Sequence, residues 1–136
     1  MLPDWLTCYK WRPLLKLHLS KLSEKNVFTG YGSGYVIVNQ TRYENSLIIM
    51  PDRIIENWQV QTFQQLTAAH FELLFPFQPE IVLLGTGTTL CFPCPSITKE
   101  LTALKIGVEV MDTNAACRTY NILMAEGRNV AAALLV

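Results

Sequence analysis

The sequence predicts one α/β domain in which an antiparallel, β-rich N-terminal part precedes a C-terminal βαβαβ half. Apolar residues recur with a period of two in short runs between Lys16 and Trp58, as in half-buried strands. Beyond Trp58, apolar runs alternate with segments of helical period, which is typical of a parallel sheet with crossover helices. The 136 residues are half hydrophobic and 16% charged, which suffices for one folded core. We treat residues 1–15 as a loose N-terminal extension and residues 16–136 as a single domain.

Three strands are predicted in the N-terminal part. A run from Leu17 to Leu22 alternates with polar neighbours, and apolar runs follow at Tyr35–Val38 and Leu47–Met50. Turn residues separate these runs at 23–26, 30–34, 39–40 and 45–46, a spacing that favours an antiparallel meander of hairpins. The glycines of the 30–34 turn precede a strand and open no helix, so we interpret them as hairpin glycines and not as a phosphate loop.

A first long helix is predicted after Trp58, where apolar residues at helical spacing precede a proline that ends the helix: Phe63, Leu66, His70, Leu73 and Pro76. The run Ile81–Leu84 then indicates a central strand that is buried on both faces. Ser96 is the expected N-cap of a second helix, which continues to Lys105 and is stopped by Gly107.

The remaining chain repeats the strand and helix pattern. Val108–Met111 is an apolar strand, and Asp112 or Thr113 caps the helix that follows. Gly127 ends this helix before a final strand at Val130–Leu135. The apolar stripe of the helix consists of Ala116, Tyr120, Leu123 and Met124.

Charge and composition exclude several classes of partner. Eleven basic residues balance eleven acidic ones, so binding to nucleic acid or to an anionic membrane surface is not expected. No apolar run approaches the length of about 18 residues that a membrane span needs, and the N-terminus lacks the order of a secretory signal. We therefore expect a cytoplasmic protein without metal or cofactor, whose four cysteines are reduced: Cys8, Cys91, Cys94 and Cys117.

Two strand ends are expected to share one rim of the parallel sheet. They are the turn Gly85–Gly87 and the segment Met111–Asn114. Ligands collect outside the carboxyl ends of strands in such sheets. Backbone N–H groups of the glycine turn, and of the helix that starts near Thr113, suit an anionic group.

Arg118 and Asn121 lie three residues apart on one face of this helix. Both could flank the rim and hold a carboxylate or a phosphate. The alternative is that the glycines only make a strand-to-helix turn, and that Arg118 pairs with Glu126 or another surface acid.

Cys91 and Cys94 have CxxC spacing before a helix start, where a helix N-terminus can lower the pKa of a thiol and allow dithiol exchange. The motif lies past the end of its strand and Pro95 follows it, so two ordinary reduced thiols are the alternative. His18 and His70 are expected to be partly buried, hydrogen-bonded residues of a strand and a helix.

Several segments together resemble a known family: LLGTG at 83–87, GVEVMDT at 107–113, AACRTYNIL at 115–123 and EGR at 126–128, with GYG at 30–32 and LIIMP at 47–51. From about Lys16 to Leu135 the chain resembles a widespread family of small proteins of unknown biochemical function. The family includes the mitochondrial respiratory complex I assembly factor 3 and an adipogenesis-associated protein.

The resemblance implies a three-layer α/β fold with a mixed sheet and no established catalytic activity. Six residues of this chain match the shared signature of the family and are therefore pocket candidates, without an assigned role: Gly85, Thr86, Gly87, Thr113, Arg118 and Tyr120. Its mitochondrial member points by analogy to respiratory complex biogenesis through protein contacts.

Two functions remain open. The sequence contains no recognisable acid–base pair or activated nucleophile, which favours a non-enzymatic binding or assembly module with a protein partner. The alternative is a binding protein or enzyme for a small anionic ligand, with its pocket at the Gly85–Gly87 turn and the Thr113 helix start.

Overall fold

The computed structural model describes residues 25–136. The predicted extension at 1–15, the predicted strand Leu17–Leu22, and the predictions for Cys8 and His18 lie outside these residues.

A three-stranded antiparallel sheet forms the N-terminal part, with strands β1 (Phe28–Gly32), β2 (Tyr35–Val38) and β3 (Thr41–Tyr43) in the order β1-β2-β3. An antiparallel, β-rich N-terminal part is therefore confirmed, but its strands differ from the predicted meander. Of the predicted strands that the structure describes, Tyr35–Val38 lies in this sheet, whereas Leu47–Met50 pairs in the central sheet. Strands β1 and β3 were not predicted. The predicted turn at 30–34 was too long, because β1 continues to Gly32 and the reversal occurs at Ser33 and Gly34. Asn39 and Gln40 make the next reversal with φ values of 50° and 73°, the left-handed backbone that two-residue hairpin turns require.

A five-stranded mixed sheet forms the centre of the domain. Its strands are β4 (Leu47–Met50), β5 (Arg53–Ile55), β6 (Ile81–Gly85), β7 (Gly107–Met111) and β8 (Val130–Leu134), in the order β5-β4-β8-β6-β7. Strands β6, β7 and β8 are parallel, whereas β4 is antiparallel to β5 and β8. Strand β6 is internal as predicted, but β8 occupies the middle and is buried along its whole length.

Helices α1 (Pro95–Ala103) and α2 (Thr113–Ala125) connect the parallel strands, which confirms the βαβαβ half. Asp112 is the N-cap of α2, where its side chain accepts a hydrogen bond from the Ala115 N–H at 2.8 Å. Gly127 follows the helix with φ 83°, as predicted for a residue that ends it.

The predicted limits of α1 were wrong at both ends. Cys94 occupies the N-cap position and Pro95 the first turn, where a missing N–H costs nothing and the fixed φ suits the helix. Ser96 therefore lies inside the helix. At the other end Lys105 takes the left-handed backbone with φ 64°, and Gly107 already belongs to β7.

The predicted long helix after Trp58 is replaced by two 3-10 segments, Phe63–Gln65 and Ala68–Phe77. The chain becomes extended between them, because Thr67 caps the second segment: its N–H donates to His70 Nδ1 at 2.9 Å. Pro76 lies within that segment, which ends one residue later at Phe77. His70 is half-buried and hydrogen-bonded, as expected.

Two hydrophobic cores cover the two faces of the central sheet. One packs α1 and the 3-10 segments, with Trp58 and Phe71, against the sheet. The other packs α2 and the three-stranded sheet, with Tyr120 and Phe28, against the opposite face. Small side chains at Ala131–Ala133 in β8 let both layers approach the middle strand closely. The domain is thus a three-layer α/β fold, as the family resemblance implies.

Candidate functional site

The two strand ends predicted to share a rim are joined by direct hydrogen bonds. The N–H of Gly87 donates to Thr113 Oγ1 at 2.8 Å, and the N–H of Thr113 donates to the Gly87 carbonyl at 2.9 Å. The N–H of Thr86 also donates to the Met111 carbonyl at 2.9 Å. The glycine turn and the start of α2 therefore meet without a gap between them.

Thr113, which follows β7, joins the carboxyl ends of three strands: β6, β7 and β8. Its buried hydroxyl accepts the bond from Gly87 after β6 and donates to the carbonyl of Leu135, after β8, at 2.7 Å. The Leu135 N–H in turn donates to the Gly85 carbonyl at 2.9 Å. A Cβ atom at Gly85 would lie 2.8 Å from Leu134 Cδ2 and 3.0 Å from Thr113 Cα. Close packing thus accounts for the glycine at position 85.

Thr86 shapes the loop that follows β6. Its side chain is buried, donates to the Thr89 carbonyl at 2.7 Å and accepts a hydrogen bond from the Cys91 N–H at 3.2 Å. These bonds fold the loop back onto the strand end. The hydroxyl of Thr86 therefore has a structural role, because these hydrogen bonds are made to backbone groups of its own loop.

A cavity of about 490 Å³ lies alongside this junction. It is bounded by the β1–β2 turn, the start of the first 3-10 segment, the loop after β6, the start of α2 and the residues that follow β8. Gly87, Thr113 and Asn114 line it, together with hydroxyl and amide side chains from the other elements. Among the lining residues, all within 25–136, Asp112 has the only charged side chain. Neutral polar groups and one carboxylate thus face this space.

The structure places Arg118 away from the cavity. Its exposed side chain reaches Tyr31 on β1, with 3.4 Å between Nη1 and the phenol oxygen. The ion pairs of residues 25–136 join Arg42 to Glu44, Arg53 to Asp52 and Arg128 to Glu80. The alternative pairing of Arg118 with Glu126 is therefore not formed either.

Tyr120 and Asn121 fasten β1 to α2. The buried phenol of Tyr120 donates to the Asn26 carbonyl at 2.9 Å and packs edge-on against Phe28, with ring centroids 5.2 Å apart. Burial raises the pKa of this phenol. The Asn121 side chain accepts from the Phe28 N–H and donates to its carbonyl, both at 2.9 Å. The RTYN segment thus holds the layers together, on a different side of α2 from the cavity.

The described cysteines are free thiols in three environments. Cys91 is half-buried and lines the cavity, and Cys94 is exposed at the N-cap of α1. Burial raises the pKa of Cys117 to about 12. Within residues 25–136, no three His, Cys, Asp or Glu side chains come together as metal ligands would.

Sequence reasoning missed two exposed apolar side chains in the loop between β6 and α1. Leu90 is 47% exposed and Phe92 is 72% exposed. Both lie outside any strand or helix period, in a stretch with two cysteines and two prolines. The available signal was that Leu90 and Phe92 lie close together in a segment without a periodic core stripe, because neighbouring exposed apolar side chains can form a contact patch.

Comparisons with known proteins agree with this architecture. The chain is 28% identical over 123 residues to the "13 kDa major membrane protein" of Francisella tularensis, covering 90% of this chain and all of that protein. It is 35% identical over 107 residues to "NADH dehydrogenase [ubiquinone] 1 alpha subcomplex assembly factor 3" of Bos taurus, covering 77% of this chain and 58% of that protein. Within residues 25–136, no helix is long and apolar enough to cross a bilayer.

Among solved structures, a Bordetella parapertussis protein superposes with a TM-score of 0.78 at 43% identity, covering 82% of this chain and 95% of that one. Residues 28–135 match the family described as "Protein of unknown function (DUF498/DUF598)". The resemblance found in the sequence is thereby confirmed, and the chain belongs to this family.

Proposed function

We propose that this chain is a non-enzymatic binding module that acts in the assembly of other proteins. The observation that carries the proposal is the loop between β6 and α1, which exposes Leu90 and Phe92 to solvent. The two side chains lie two residues apart in one loop, so a partner that covered both would remove apolar surface from water, and aromatic residues are enriched in the centres of protein interfaces.

The hydrogen bonds of the rim support a binding role over a catalytic one. The hydroxyl groups of Thr86 and Thr113 each make at least two hydrogen bonds inside the domain, and Asp112 caps α2. A nucleophile or general base needs a free electron pair directed at its substrate. These bonds direct both hydroxyls and one oxygen of Asp112 to backbone groups of the fold, and the loop beside them exposes Leu90 and Phe92.

The family relationship supports the same proposal. The bovine relative is named an assembly factor for NADH dehydrogenase, and we extend that role to this chain as a contribution to respiratory complex biogenesis. The balanced charge of the chain favours protein contacts over nucleic acid. We propose that it acts in the cytoplasm.

Affinity capture with a matched pair of variants tests the proposal. Phe92→Ser removes the loop aromatic, whereas Ile122→Ser removes an apolar side chain that is 60% exposed on α2. Both should fold, because exposed positions contribute little to stability. The proposal expects Phe92→Ser to lose a partner that the parent chain and Ile122→Ser retain. Equal retention by both variants would contradict it.

The cavity beside Gly87 and Thr113 favours a second candidate, a small-molecule site. We propose that its ligand is polar, because hydroxyl and amide groups dominate the lining, and that Asp112 disfavours the anion suggested by the sequence. A thermal-shift panel of carboxylates, phosphates and neutral polyols tests this. Stabilisation by polyols alone is expected, and it should be unchanged in Arg118→Ala. Stabilisation by the anions alone would restore the original prediction.

A further inference from the structure

Strand β7 forms an edge of the central sheet within residues 25–136, since it pairs with β6 alone there. The N–H of Gly107 donates to the Glu80 carbonyl at 3.0 Å, and the Met111 carbonyl accepts from Thr86 at 2.9 Å. In a parallel ladder, alternate residues direct their backbone groups to the same neighbour. Residues 107, 109 and 111 therefore bond inward, and the N–H and C=O groups of Val108 and Val110 point away from β6.

A groove of about 510 Å³ runs along this edge. Its floor includes the side chains of Val108 and Val110, which pack into the core on the α1 side of the sheet. Thr98 and Thr102 of α1 form one wall, and Phe92 also lines the groove. The exposed aromatic ring and the open backbone groups thus belong to one surface.

Glu109 lies between these valines on the opposite face of β7 and is exposed. It takes part in none of the ion pairs that join residues 25–136. If two copies of the chain paired through all four outward groups, Val108 would face Val110 of the other copy. Glu109 would then lie directly opposite Glu109 of the other copy, in the close position where like charges destabilise a sheet. The charge therefore favours a foreign strand over a second copy.

Building on the proposed function, we propose that β7 receives an extended segment of a partner protein as an added strand. Its backbone would bond to the outward groups of Val108 and Val110. Alternate apolar side chains would enter the groove beside Phe92, and a lysine or arginine would lie opposite Glu109. Backbone bonds supply affinity in such strand addition, and side-chain pockets supply specificity.

Two synthetic peptides test this with the full chain. Both alternate valine and threonine over seven residues with capped ends, and the central residue is lysine in one and glutamate in the other. With the lysine peptide, the amides of Val108 and Val110 should exchange more slowly with solvent. The glutamate peptide should bind about threefold more weakly than the lysine peptide, given the size of a cross-strand charge pair. Glu109→Lys should reverse this order.

Matched variants complete the test. Glu56→Lys changes an exposed acid that follows β5, at the other edge of the same sheet, and should leave both affinities unchanged. Val110→Pro removes an outward N–H without removing a bond to β6, and should abolish binding. If that variant unfolds, the Glu109→Lys reversal still decides.

Three results would overturn the inference. The first is slow exchange of the Val108 and Val110 amides in the chain alone, which would mean that residues 1–24 or a second copy already cover the edge. The second is peptide binding that is insensitive to Glu109→Lys. The third is partner capture that requires Phe92 but survives Val110→Pro and Glu109→Lys. This last result would leave the proposed function standing, whereas loss of all dependence on Phe92 would contradict both.

Discussion

Replacing Thr113 with valine tests the junction of the three strand ends. Valine keeps the shape of the side chain but removes the hydroxyl that joins Gly87 to Leu135. The Leu135 carbonyl loses its donor in a residue that is 3% exposed, whereas the half-buried Gly87 N–H retains some access to water. A buried group left without a partner costs about 1 to 3 kcal/mol, and a lost exposed bond about 1 kcal/mol. Together these predict that Thr113→Val lowers the free energy of unfolding by about 2 to 4 kcal/mol.

Urea unfolding followed by circular dichroism measures this change. With a denaturant slope of about 2 kcal/mol/M for a domain of this size, the midpoint should fall by about 1 to 2 M while the slope stays constant. Thr102→Val is the matched control, because its hydroxyl is exposed and donates to the Thr98 carbonyl on the surface of α1. That variant should stay within about 0.5 kcal/mol of the parent chain. The reasoning is refuted if Thr113→Val also does.

Three further outcomes follow from the contacts. Asn121→Ala should lower the free energy of unfolding by about 2 kcal/mol and speed hydrogen exchange at the Phe28 amide, since the N–H and the carbonyl of Phe28 both lose their partner. An unchanged exchange rate at Phe28 would contradict the role of Asn121 in holding β1 to α2. Gln40→Gly should raise the melting temperature, with a gain of about 0.5 to 1 kcal/mol, because φ at this position is 73°; a lower melting temperature would count against the hairpin geometry. At pH 8 a disulfide reagent should modify exposed Cys94 in the native chain but Cys117 only in urea, because burial raises the pKa of Cys117 to about 12 and keeps it protonated; native labelling of Cys117, mapped by mass spectrometry, would contradict its burial.

The order of strands and helices in the C-terminal half was predictable from local patterns. Fully apolar runs such as Ile81–Leu84 and glycine at a helix end such as Gly127 each have one common structural meaning. The cap of α2 was narrowed to Asp112 or Thr113 from residue type, and the structure places Asp112 there. Strand β5 was missed because Arg53–Ile55 is three residues long, too short for a period to appear.

The helix expected after Trp58 failed because helical spacing of apolar residues does not exclude another backbone. Thr67 and His70 satisfy each other's hydrogen bonds and restart the chain in a 3-10 segment. This local competition from side chains is invisible to a periodicity argument. Side-chain bonding to the backbone thus overrode the pattern.

The candidate site was predicted in part. The meeting of the Gly85–Gly87 turn with Thr113 followed from the topology of parallel strands. The side of α2 on which Arg118 and Asn121 lie did not, because it depends on the three-stranded sheet that packs there. Their partners Tyr31 and Phe28 are 87 and 93 residues away along the chain, beyond any local signal.

Photo-crosslinking in cells tests the central claim, that the apolar loop at the rim receives a protein partner. A photoreactive phenylalanine analogue would be placed at position 92, and at position 122 as the control, since Phe92 and Ile122 are both exposed. We expect one discrete protein adduct at position 92 that is absent at position 122. The same adducts at both positions, or none at position 92, would contradict the account.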